Sequence, residues 1–252
     1  MNSPLPYIGG KSKLADRIVK MVPEHKTYCE VFAGALWVFF RKEPSRWEVI
    51  NDLDSDLITF YRVLQNHLEE FLRQFKWLLS SREWFEDWKG QLNGRGLTDI
   101  QRAARYYYVQ RHAFAGRPKN PSFGSHPQKL PKINLLRLEE ELSAIHLRLL
   151  GVTIENLDWR TCLNRCDRQE TFFFLDPPYW ERKDYKFNLD PSDYSEMANI
   201  LGGIAGKFLL TIDDRPETRQ IFTRFNVQPV EVRYTAGGLA QKVGRELLIT
   251  NY

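Results

Sequence analysis

The sequence predicts an α/β protein: a parallel sheet, interrupted by a helical and basic insertion and closed by a C-terminal β-hairpin. Three observations predict it. YCEVF (residues 28–32), a glycine turn, a helical stretch and WEVIND (residues 47–52) follow the order of a parallel βαβ unit. The middle of the chain then turns helical and collects positive charge. Sheet-like runs return after residue 150, and the last two are joined by the loop TAGGLAQKVGR.

Taken in order, Leu14, Ile18, Met21 and Val22 fall at helical spacing, and Pro23 closes that helix. YCEVF runs into Ala33-Gly34 and a helix from Trp37 to Arg41, and WEVIND forms a second strand ending on acids. Residues 54–80 carry Leu57, Tyr61, Leu64, Leu68, Phe71, Phe75 and Leu78 on one face, which predicts a single long helix. Helices over 98–112 and 134–149 flank the loop FAGRPKNPSFGSHPQKLP, whose length marks it as functional. VTIEN, TFFFLD and KFLLTID read as strands, with a helix starting at Asp193 and Glu196 in a capping-box relation. The expected organisation is a catalytic unit in two parts, 1–59 and 146–252, around an insertion at 60–145.

Composition bounds the function. The chain has 252 residues, 42% of them hydrophobic, enough for one compact unit with an insertion. No run approaches the roughly 18 apolar residues of a membrane span, and MNSPLPYIGGK lacks a signal-peptide core. A soluble cytoplasmic protein is expected. Three cysteines lack the paired spacing of a zinc site and read as reduced thiols, so no metal is expected. The net charge is +4, yet residues 100–137 hold eight Lys or Arg and no acid. The remainder is therefore slightly acidic, the asymmetry of a polyanion-binding surface.

Gly34 follows a strand and precedes a helix, where a ligand can approach the backbone, although a glycine there also serves sterics alone. Asp52 ends the next strand, placed to accept hydrogen bonds from ribose hydroxyls. Together they favour an adenosine-containing cofactor. GGKS (residues 9–12) matches the tail of a phosphate-binding loop, but Leu5 stands where that loop needs its first glycine.

TFFFLDPPYW (residues 171–180) ends an apolar strand on a carboxylate and two prolines. Asp176 and Pro177 each precede a proline and are held extended. Pro177 and Pro178 have carbonyls and no N–H groups. The edge presents acceptors only, with the flat face of Tyr179 beside them. A planar ring bearing an amino group fits such an edge. Two acceptors aligned with its N–H bonds favour a pyramidal nitrogen and return lone-pair density for attack. The plainer reading is a tight turn capping a buried strand.

PYIGGKSKL, EVFAGA, INDLDSDL, FFFLDPPY and ELLITNY, in this order over nearly the whole chain, resemble the DNA adenine-N6 methyltransferases of the Dam type. The resemblance implies S-adenosylmethionine as cofactor, a Rossmann-like methyltransferase sheet and a small helical recognition domain. It implies cofactor contacts from Tyr7, Gly10, Lys11, Phe32, Ala33, Gly34, Asp52, Asp158 and Asp176. It gives Asp176, Pro177 and Tyr179 the grip on a target adenine, flipped out of the duplex. Two positions depart from the family pattern. Leu36 replaces a second glycine in the turn, and Pro6 stands where some members carry a base-contacting lysine, which leaves GATC specificity open.

The basic insertion supplies the expected surface for double-stranded DNA. Arg105, Arg111, Arg117 and Lys119, with Arg102 and Lys129, are the candidate phosphate or groove contacts. At least one of Tyr106, Tyr107 and Tyr108 is expected in the helix core. Methylation of an RNA base or a protein amide, or a non-catalytic DNA binder with its pocket closed by Leu36, are the alternatives. The resemblance implies a bacterial or phage context, restriction–modification included, with no obligate protein partner.

Overall fold

The computed structural model describes residues 1–78, 80–124, 132–180, 184–234 and 242–252. The chain begins with α1 (Ala15–Met21), β1 (Thr27–Glu30), α2 (Trp37–Arg41) and β2 (Trp47–Asn51). Among the described residues, five α-helices follow before the sheet resumes: α3 (Ser55–Asn66), α4 (Leu68–Arg73), α5 (Arg82–Leu92), α6 (Asp99–His112) and α7 (Leu135–Leu149). Then come β3 (Thr153–Glu155), α8 (Trp159–Cys166), β4 (Thr171–Leu175), α9 (Pro191–Leu201) and β5 (Lys207–Asp213). The chain ends with α10 (Pro216–Ile221), β6 (Asn226–Tyr234) and β7 (Lys242–Thr250).

The seven strands run in the order β3-β2-β1-β4-β5-β7-β6. The first five are parallel, and β7 inserts antiparallel between β5 and β6. The α/β reading and the terminal hairpin hold. The chain moves outward from β1 through β2 to β3, then restarts at β4 on the other side of β1. That reversal opens a crevice at the carboxyl ends of β1 and β4, where ligands of open α/β sheets bind. Glu30 pairs with Phe174 there, so the Gly34 turn and Asp176 emerge side by side.

Both faces of the sheet are buried, as continuous apolar strands require. Tyr28, Phe172, Phe174 and Leu209 point into one core with residues of helices α3 to α7. Cys29, Val31, Phe173, Leu175 and Leu210 point into the other, against α8 and α9. Phe172, Phe173 and Leu175 are fully buried, each worth roughly 1.5–3 kcal/mol relative to exposure.

Several local expectations change. Residues 54–80 form two helices, broken at His67 (φ −138°); the apolar face continues in phase across the break, so its periodicity does not reveal it. The 59/60 boundary falls inside α3, whose Gln65 amide donates to the Leu149 and Val152 carbonyls beside β3. Helix α5 went unread. Ser81 caps it and Phe85 anchors it in the core. Helix α9 starts at Pro191, with the Asp193 carboxylate accepting from the Asp190 amide; Glu196 instead pairs with Arg160. Proline at the first helical position explains the earlier start.

Tyr106, Tyr107 and Tyr108 are all buried. Phe60 stacks on Tyr107 at 5.5 Å, and the Phe71 and Phe75 rings pack edge-on to Tyr107. Residues 113–124 close as a small antiparallel turn, with an Ala113–Phe123 bridge. Its Gly116 packs on the N-terminal segment: a Cβ there would lie 2.7 Å from the Pro6 carbonyl carbon. Gln110 ties the two together by donating to the Pro6 and Gly116 carbonyls, both at 2.8 Å. Lys129 lies outside the described residues. Among those described, no helix is long and apolar enough to cross a membrane.

Candidate active site

The turn after β1 is built on a backbone that only glycine adopts easily. Gly34 has φ +45°, its amide donates to Asp52 Oδ2 at 3.0 Å, and its carbonyl accepts from the Tyr61 hydroxyl at 2.8 Å. The other Asp52 oxygen accepts from the Asp54 amide at 2.9 Å. The carboxylate at the end of β2 is thereby held against the turn of β1. Burial pushes its pKa up to about 6, against the pull of those two amides. Asn51 completes the clamp, donating to the Val31 and Leu157 carbonyls and accepting from the Leu157 amide.

At the end of β4 a second carboxylate is fixed. Lys11 Nζ and the Thr211 hydroxyl both bond Asp176 Oδ1, each at 2.7 Å. Among the described residues no donor reaches Asp176 Oδ2 or the Pro177 carbonyl. The Tyr194 hydroxyl donates to the Pro178 carbonyl at 2.6 Å, and the Trp180 amide donates to Asp213. The turn is therefore pinned from outside while its acceptor edge stays open.

Lys11 is almost wholly buried, 5% exposed, and donates also to the Gly9 carbonyl at 2.9 Å. Burial alone would lower its pKa, but Asp176 and then Glu246 outweigh it, so Lys11 stays a cation. Its ammonium lies 4.7 Å over the Tyr179 ring and 4.0 Å from Glu246 of β7. Burial, with Asp176 and Glu246 behind it, pushes the Tyr179 phenol well up. Glu30, raised to about 8 by burial, accepts from Tyr28 at 2.6 Å.

One cavity of about 230 Å³ joins the two carboxylates. Tyr7, Gly10, Lys11, Phe32, Ala33, Gly34, Asp52, Asp158 and Asp176 all line it, although they come from five separate stretches of sequence. Asp158 caps α8 and pairs with Arg160. Pro178 rather than Pro177 reaches the wall, Pro177 being buried. Tyr185 and Lys186 were missed in the sequence. The Tyr185 hydroxyl donates to the Ile8 carbonyl, its ring stacks beside Tyr7, and Lys186 pairs with Asp54 and Asp56. Thr211, Tyr194 and Glu246 were missed as well.

Leu36 does not close the cavity; it forms part of the wall and is packed into the core at 1% exposure. Its φ of +55° is the left-handed conformation that a glycine would take without strain. Leu36→Gly relieves roughly 1–3 kcal/mol of backbone strain while emptying a buried site worth roughly 2–5 kcal/mol. Leu36→Ala empties the site and keeps the strain. Thermal unfolding is expected to rank wild type above the glycine variant and glycine above alanine, the reverse of the usual alanine–glycine order.

The basic residues divide. Arg102 is spent inside the chain, paired with Asp56 and donating to the Leu92 and Gly94 carbonyls. Arg105 bonds Gln91 and lies over Trp88, and Arg111 donates to the Pro4 and Lys132 carbonyls. Arg117 and Lys119 are exposed on the turn beside the N-terminal segment, as is Phe114.

A family model for D12 class N6 adenine-specific DNA methyltransferases matches residues 7–236. The chain is 25% identical over 275 residues to the Type II methyltransferase M1.LlaDCHI of Lactococcus lactis subsp. cremoris, covering 98% of this chain and 94% of that protein. It is 23% identical to the DNA N-6-adenine-methyltransferase of Escherichia phage P1, over 90% of this chain but only 32% of the phage protein. Among solved structures, SMU.472 complexed with SAH covers 96% of this chain and 52% of that one, at 11% identity and a TM-score of 0.38. The chain belongs to the D12 class N6 adenine-specific DNA methyltransferases, whose methyl donor is S-adenosylmethionine.

Proposed function

We propose that Asp176 Oδ2 and the Pro177 carbonyl hold the amino group of an adenine extruded from duplex DNA, while the cavity behind them holds S-adenosylmethionine. The observation that carries this reading is the one-sided anchoring of Asp176. Lys11 and Thr211 fix Oδ1, so Oδ2 is oriented at no cost during reaction. The cofactor supplies an electrophilic methyl group. Asp176 and Pro177 accept the two amino hydrogens, favour a pyramidal N6, and meet the positive charge that develops there with a fixed carboxylate. Tyr179 offers the adenine a stacking face, steadied by Lys11 beneath it.

The cavity suits the donor. Asp52 presents a carboxylate already oriented by two amides, fit to accept from ribose hydroxyls. Tyr7 and Phe32 offer apolar walls, and the Gly34 turn brings bare backbone close. Its raised pKa sets a pH test. Between 3.8 and about 6 the folded chain keeps a proton that the unfolded chain has lost, so Asp52 costs the ligand-free chain stability as pH rises through that window. Cofactor binding needs the ionised form and moves the opposite way. Calorimetry is expected to find affinity weakening by up to about tenfold per pH unit below pH 6, and a flat response in Asp52→Asn.

The duplex is proposed to lie against the exposed turn that bears Arg117 and Lys119, next to Pro6 and Gly116. Affinity is expected to fall steeply with salt, and Arg117→Ala to lower the slope of log K against log salt by about 1. A flat salt response would remove the insertion from the interface. Competition between duplex DNA and structured RNA tests the substrate directly, and RNA winning would favour an RNA-base acceptor.

A further inference from the structure

Cys29, Cys162 and Cys166 come from distant parts of the chain and meet in one cluster. The Cys29 and Cys162 sulfurs are 3.6 Å apart, and all three sulfurs lie within 4.8 Å of one another. Cys29 projects from the central strand β1, while Cys162 and Cys166 stand one helical turn apart on α8. Cys29 and Cys162 are fully buried, and Cys166 is half-buried and gives the cluster its outer side.

The spacing suits a metal ion. Three sulfurs about 2.3 Å from a common ion sit about 4 Å apart in a trigonal plane. No histidine or carboxylate joins the cluster among the described residues. Structural zinc almost always takes four protein ligands, whereas an all-thiolate, three-donor set in an apolar pocket selects soft cations of the Cu(I) kind. Val31, Leu163, Phe173 and Leu175 belong to the same apolar core.

We propose that Cys29, Cys162 and Cys166 form a three-thiolate site for one soft, thiophilic cation, for which Cu(I) is the probe. Each sulfur bonds the ion as its thiol proton passes to solvent, and no electron is transferred. The site would tie β1 to α8. The same two elements end in walls of the cofactor cavity, at Phe32–Gly34 and at Asp158.

The test is anaerobic titration of the reduced full-length chain with Cu(I) in competition with a chromophoric Cu(I) chelator, followed by thermal unfolding. One Cu(I) per chain withdrawn from the chelator, a raised unfolding midpoint, and loss of both in Cys162→Ala and Cys166→Ser are expected. Cys166→Ser, at a half-buried helix end, keeps the variant folded, which circular dichroism checks. No uptake by the wild-type chain, or uptake unchanged in Cys166→Ser, would overturn the site. Methyl transfer is not the readout, so this result stands apart from the assignment of Asp176.

Discussion

Asp176→Ala is expected to lower methyl transfer by at least about three orders of magnitude, with the chain still folded and still binding S-adenosylmethionine through the Asp52 wall. Removing a preoriented group aimed at developing charge costs roughly 10²–10³ in rate, and in the role proposed for it this carboxylate both shapes the amino nitrogen and faces its charge. Asp176→Asn is the sharper variant. It keeps the side-chain shape, but an amide turned to accept from Lys11 and Thr211 at Oδ1 presents an NH₂ donor where the amine needs an acceptor. The asparagine variant should therefore fall nearly as far as alanine. Near-normal turnover in Asp176→Asn would mean that the charge and the second acceptor oxygen are not what the reaction uses.

Lys11→Met is the second large effect. The ammonium is buried between Asp176 and Glu246, and its removal takes from both carboxylates the cation that they face. Stability is expected to drop by about 3 kcal/mol, since breaking a buried pair strands the partner charge. Transfer should fall with it, because Asp176 Oδ1 loses one of its two anchors. Adding Glu246→Gln to Lys11→Met removes one of the two charges that Lys11 offsets. The double variant is expected to unfold above Lys11→Met in denaturant, and a strictly additive or lower midpoint would show that the three groups are not coupled.

Much of this site could be read from residue order alone. Strand, glycine turn, helix and acid-ended strand imply neighbouring parallel strands, which brings Gly34 to Asp52 without further information. The acceptor edge at Asp176 follows from the local rules of proline. The groups that orient Asp176 could not be read this way. Thr211 reaches it because β5 pairs parallel to β4 with Leu175 opposite Leu210, a register absent from either strand alone. Glu246 reaches Lys11 because β7, the last strand, inserts beside β5 and sets Glu246 opposite Asp213, where a simple terminal hairpin would have put β6.

The basic segment at residues 100–137 shows the same division. Its charge asymmetry was visible, but charge does not reveal which guanidinium groups are already occupied. Arg105 finds Gln91 on α5, the helix whose Ser81 cap and Phe85, Trp88 and Leu92 spacing were present but unread. Arg102 finds Asp56 at the start of α3. Arg117 and Lys119, on the turn that Gln110 straps to Pro6, are both exposed.

The decisive measurement is transfer of a labelled methyl group from S-adenosylmethionine to a random-sequence duplex library, with modified positions mapped and Asp176→Asn run alongside. Label on adenine N6, confined to a preferred sequence and lost in the variant, is the expected result. A chain that binds the cofactor yet leaves adenine unlabelled, or labels it equally well as Asp176→Asn, would contradict the role given to the Asp176 edge.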